Sequence, residues 1–140
     1  MDYRKFGNKY VVRLEKGEEI VSSLKELSRK EKISLGRISG IGAVGEVEIG
    51  YFETKIKEYH SKVLKGDMEI LNLNGNISEM NNEVYLHLHI TIADDNLNAV
   101  GGHLNSAIIS ATGEIVIDVI EGKVDRELDE DIGLNLILFT

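Results

Sequence analysis

Three of the four histidines fall within seventeen residues, in His87-Leu88-His89-Ile90-Thr91-Ile92-Ala93-Asp94 and Gly101-Gly102-His103-Leu104. Neutral imidazole is a good ligand for transition metals, zinc in particular. In an extended strand successive side chains point to opposite faces. Tyr85, His87, His89 and Thr91 therefore share one face, and Val84, Leu86, Leu88, Ile90 and Ile92 the other. Two strand rises separate the Cα atoms of His87 and His89 by roughly 6.5 to 7 Å. From that span two rings can converge on one ion at about 2.0 to 2.1 Å. Gly101 and Gly102 let the backbone bend sharply or approach a neighbour closely, which would carry His103 to the same point. The plainer alternative is a pair of hydrogen-bonded polar residues on the wet face of a half-buried strand, and spacing alone admits both. His60 sits in the charged stretch 55–62 and reads as solvated.

The elements that must position these residues are mostly strands. Lys9 to Leu14 alternates with period two, and further strands are expected at 46–52, 55–64, 68–78, 84–93, 113–121 and 134–139, with Asn81-Asn82 turning between two of them. One helix stands out. Gly17 is its expected N-cap, Glu18 and Glu19 suit the positive end of the dipole, and Ile20, Val21, Leu24 and Leu27 form an apolar stripe. Arg29, Lys30 and Lys32 favour its C-terminal end. The stretch 96–111, rich in small residues, is ambiguous and offers a second short helix. Ser39-Gly40-Ile41-Gly42-Ala43-Val44-Gly45 looks like a phosphate loop but lacks the Lys-Ser/Thr pair of a P-loop. It is followed by strand-like alternation and reads better as a bulge, turn or tight packing contact. The economical architecture is α+β: a mostly antiparallel, twisted sheet or open barrel with one principal helix packed on it.

Composition bounds the function. A chain of 140 residues is of ordinary single-domain length, so one domain over 1–140 is expected. The absence of cysteine excludes disulfides and thiolate metal sites, leaving histidine, carboxylate or backbone as ligands. Met1 to Gly7 has no signal-peptide core and no apolar run approaches a membrane span, so a soluble, cytoplasmic protein is expected. The net charge of −8 is unevenly spread: residues 1–65 carry 14 Lys/Arg against 10 Asp/Glu, and residues 66–140 carry 2 against 14. Unaided DNA binding needs a clustered basic surface. Only Lys55, Lys57, Lys62 and Lys65 gather locally, interrupted by Glu58, in the manner of a solvated edge strand. The apolar run 134–139 needs a partner surface, commonly another subunit.

Three segments together resemble the PPC domain, a family found in plants and prokaryotes: Gly36 to Ala43, Glu69 to Asn76, and His87-Leu88-His89 through Asp94 to Gly101-Gly102-His103-Leu104. The resemblance extends over nearly the whole chain. It implies a compact α+β fold around an antiparallel sheet, usually a homotrimer, with His87, His89 and His103 as metal ligands. Plant members carry an AT-hook, and prokaryotic relatives are often described as DNA-binding by analogy; this chain has no AT-hook. Where the plant pattern has an arginine after the glycine opening the Glu-Ile-Leu stretch, this chain has Gly66-Asp67, with the charge reversed.

The resulting expectation is a small trimeric module binding zinc, regulatory or scaffolding, which associates with DNA only weakly or through a partner protein. Thr91, Asp94 or Asp95 are candidates to fix the outer ring nitrogens. The alternatives are a zinc-dependent hydrolase, in which three histidines leave a position for water and Asp94 or Asp95 serves as base, and a small-molecule sensor with Gly40–Gly45 and the histidines lining a cleft between subunits.

Overall fold

The computed structural model describes residues 1–139. Among these the order is β1 (Asp2–Phe6), β2 (Lys9–Glu15), α1 (Ile20–Lys30), β3 (Gly36–Glu53), β4 (Glu58–Met80), β5 (Glu83–Ala93), β6 (Ala99–Val119), β7 (Asp125–Asp129) and β8 (Leu134–Leu138). Six strands form a sheet in the order β1-β2-β6-β3-β4-β5, and every pairing is antiparallel. The sheet also folds back on itself. The first residues of β6 pair with β5, so β3, β4, β5 and β6 are joined in a circuit of hydrogen-bonded neighbours. β7 and β8 form a separate hairpin.

Alternation builds the core. β2 buries Tyr10, Val12 and Leu14 and exposes the residues between them. β5 contributes Leu88, Ile90 and Ile92, and the helix buries Ile20, Leu24 and Leu27 against β5 and β6. Burying each such side chain contributes roughly 1.5 to 3 kcal/mol. Ser28, also buried in the helix, returns its hydroxyl to the Leu24 carbonyl at 2.7 Å, leaving no polar atom unmet in the packed face.

Several sequence expectations are corrected. The helix is capped by Glu19, not Gly17. The Glu19 carboxylate accepts the N–H groups of Val21 at 2.9 Å and Ser22 at 2.6 Å, and also that of Ala107 on β6 at 3.1 Å. It satisfies two free donors of the first turn and ties the helix to the sheet. The ambiguous stretch 96–111 holds no helix: from Ala99 it is the first half of β6, and its small residues serve close strand contacts. The strands expected at 55–64 and 68–78 are one strand, β4, which begins at Glu58 after a turn at 54–57. β1 and β7 lacked the alternation that would have announced them; of their residues only Arg126 is buried. Other expectations hold. Asn81 and Asn82, at φ 54° and 62°, make the two-residue turn between β4 and β5. Both register shifts of β3 against β4, and two of its three against β6, fall on or at the end of the glycine-rich 39–45 segment.

Candidate metal centre

His87 and His89 project from β5 on the face opposite Leu88 and Ile90, as the alternation required. His103 is the direct cross-strand partner of His89. Since β6 at this point also pairs with β3, through Gly50 opposite His103, the third imidazole is fixed from both sides. The glycines make this possible. A Cβ on Gly102 would meet the Gly50 carbonyl oxygen at 2.7 Å, and one on Gly75 of β4 would run into the His87 carbonyl oxygen. The strands carrying the histidines thus approach more closely than side chains would allow.

The three imidazoles converge. Their ring centroids lie 5.1 Å (His87–His89), 5.3 Å (His87–His103) and 5.6 Å (His89–His103) apart, and each ring offers one nitrogen within 4.8 Å of the others. The Nε2 atoms of His87 and His89 are 3.3 Å apart. Two nitrogens bound at about 2.0 to 2.1 Å to a tetrahedral zinc stand about 3.3 to 3.4 Å from each other, so this pair already has ligand spacing. Protonation favours the same use. Burial, with His103, Arg126 and His89 nearby, pushes His87 down to about 4, and burial with His89 lowers His103 as well. Both rings are neutral near pH 7, the form that donates a lone pair to a metal.

The surroundings come from β4, β5, β6, β7 and β8. Tyr59 of β4 sets its ring edge-on to His103 at a centroid distance of 6.0 Å and donates its hydroxyl to Asn105 at 2.8 Å. Asn76, the β4 partner of His87, accepts a hydrogen bond at 2.9 Å from Arg126 of β7. Arg126 also donates to Ser78 Oγ and to the Asn135 carbonyl, each at 2.8 Å, and lies over the Tyr85 ring at 4.8 Å. This arginine went unforeseen, because Asp125-Arg126-Glu127 has the composition of a solvated charge run. Asp94, expected as an outer partner, instead accepts the N–H groups of Asn96 at 2.9 Å and Asn98 at 2.8 Å within its own loop, and Asp95 accepts from the Asn96 side chain. Thr91 lies opposite Gly101. His60 stands apart from the trio, on the β3–β4 hairpin, stacked on Tyr51 and 3.2 Å from Glu53.

Comparison with known proteins follows the same lines. Residues 1–121 match the model of the Plants and Prokaryotes Conserved (PCC) domain, the PPC family named above. The chain belongs to this family. Among solved structures, a candidate DNA-binding protein from Bacteroides thetaiotaomicron is 43% identical, with a TM-score of 0.96 over 99% of this chain and 96% of that one. The metal-containing protein from Archaeoglobus fulgidus is 33% identical, with a TM-score of 0.87 over 99% of both chains. A plant- and prokaryote-conserved protein from Pyrococcus horikoshii is 28% identical, with a TM-score of 0.84 over 99% of this chain and 97% of that one. Curated relatives are the bifunctional GlmU proteins of two Synechococcus strains, 28% identical over 127 residues. The match covers 89% of this chain but only 19% of the GlmU length. The β7–β8 hairpin lies beyond the residues that match the PPC family model.

Proposed function

We propose that the chain is a metal-binding PPC module in which His87, His89 and His103 hold zinc, assembled as a homotrimer and acting in regulation or scaffolding. The observation that carries this reading is the convergence of three imidazoles, two of them neutral near pH 7 and two with nitrogens at 3.3 Å. The donor set fits zinc: three borderline nitrogen ligands and no thiolate. The similarity to the metal-containing protein of Archaeoglobus fulgidus supports it. When bound, zinc would supply Lewis acidity at an open coordination position; the chain's own part is to fix three nitrogens, with His87 and His103 half-buried near Arg126 and Tyr59, and with His89 facing solvent.

Association with DNA, suggested by the similarity to the candidate DNA-binding protein of Bacteroides thetaiotaomicron, is assigned to a partner protein or to the assembly. The basic cluster on the β3–β4 hairpin is partly engaged: the charge of Lys65 is paired with Glu46 at 2.9 Å, and the Lys57 ammonium is tethered to the Glu130 carbonyl at 2.9 Å. A second reading, a zinc-dependent hydrolase, is favoured by one feature: among the described residues no carboxylate joins the three histidines, which leaves a position for water.

Elemental analysis of tag-free protein, purified without added metal, tests the proposal. About one zinc per chain, lost in His103→Ala while the fold is kept, is the expected result. Metal-free protein that stays so after zinc addition sinks it. Turnover of ester or amide substrates abolished by chelation would move the assignment to the hydrolase.

A further inference from the structure

Arg126 is 8% exposed, and among the described residues no carboxylate lies within ion-pair distance of it. Its three acceptors are all neutral: Ser78 Oγ, the Asn76 side-chain oxygen and the Asn135 carbonyl. A guanidinium has five N–H donors. One hydrogen on each terminal nitrogen therefore remains after these bonds. The ring of Tyr85 offsets part of the charge, but a desolvated cation without a counter-anion is among the costliest groups to bury. Anchoring a hairpin to three neutral acceptors does not call for a charge.

The position of this cation gives it a use. Asn76 is the cross-strand partner of His87, and Tyr85 precedes His87 by two residues on the same strand face. The guanidinium touching both therefore lies one residue pair along the sheet from the histidine centre. Three neutral imidazoles leave a divalent metal with its full +2 charge, and Arg126 adds another, so the centre is cationic and short of an anion.

We propose that Arg126 completes the histidine centre as a site for a small carboxylate: one oxygen takes the metal's remaining coordination position, and the free fork of the guanidinium binds the other. This rests on the metal reading above and names the ligand class of that site. A carboxylate carries two oxygens and can span the metal and the guanidinium, one oxygen on each, which a monatomic halide cannot do and which a neutral molecule does without the charge.

The test uses the full chain loaded with cobalt(II), whose visible spectrum reports a change of ligand or geometry. Acetate and succinate are the probes and chloride is the control. Saturable spectral shifts with both carboxylates are expected in the wild type. Arg126→Gln should weaken them by about tenfold and Arg126→Lys by less, while chloride responds alike in all three. Where Arg126→Gln fails to fold, Arg126→Lys decides, since it keeps a charge and loses the fork. Unchanged carboxylate affinity in a folded variant would overturn the proposal. So would a change of oligomer mass with affinity intact, which would place Arg126 in an interface. A full cobalt spectrum indifferent to carboxylates sinks this proposal alone; failure to take up cobalt sinks the metal reading and this proposal with it.

Discussion

At the scale of single residues, polar groups in this chain act where their charge is held against a specific partner. Glu31, just after the helix, accepts the hydroxyls of Tyr3 and Tyr10, each at 2.8 Å, and so ties the helix end to β1 and β2. These two hydrogen bonds, Tyr3 first, hold its carboxyl below the ordinary glutamate range, although the residue is only half-buried. Protons then bind the unfolded chain more readily than the folded one. The stability Glu31 contributes is complete above the unfolded pKa and is lost as pH falls through the folded value. Because solvent screens the group, the effect is modest. Urea midpoints measured from pH 7 to pH 3 should decline less steeply in Glu31→Gln than in the wild type; parallel curves would show that the carboxylate charge is immaterial. The histidines were legible at this scale because strand alternation fixes which side chains share a face. Arg126 was not, because its burial depends on a hairpin whose docking no local pattern announces.

At the scale of elements, the glycines decide how closely strands may cross. Gly102 faces the Gly50 backbone where β3 and β6 pair, and its neighbour His103 supplies the third imidazole of the cluster. Gly102→Ala must push one strand aside, which should cost about 1 to 3 kcal/mol and lower zinc content at limiting metal, because His103 moves with its strand. Denaturant midpoints and metal analysis check both effects, and a variant with wild-type midpoint and zinc content would refute the close-approach argument. The same glycines explain why 96–111 misled. Small residues without a clear period resemble a helix or loop, yet here they are selected by strand crossing, a tertiary demand that a single sequence does not display. β4 misled in a related way: Gly66, at φ 128°, lets one long strand pass a composition break that reads as a boundary. The helix and β2 were readable because one face of each meets the core throughout its length.

At the scale of the whole molecule, the arrangement of apolar and charged surface bears on assembly. Leu134, Leu136, Ile137, Leu138 and Phe139 are all substantially exposed, the last at 84%. Both faces of β8 are thus open to solvent, which an isolated chain of this size has little reason to maintain. Covering this strip with other copies of the chain accounts for it, and the trimer proposed above supplies those copies. Light scattering should give about three times the chain mass of 15.6 kDa, falling toward one chain in Ile137→Lys. A monomeric wild type would sink the trimer, and an intact trimer in the folded variant would move the interface away from the hairpin. Repeating the measurement with duplex DNA at low salt extends the same argument. A net charge of −8 per chain, multiplied by three, opposes the approach of phosphates over the whole surface. The trimer alone should therefore elute unchanged, and a salt-sensitive rise in mass would show that its lysines outweigh its net charge.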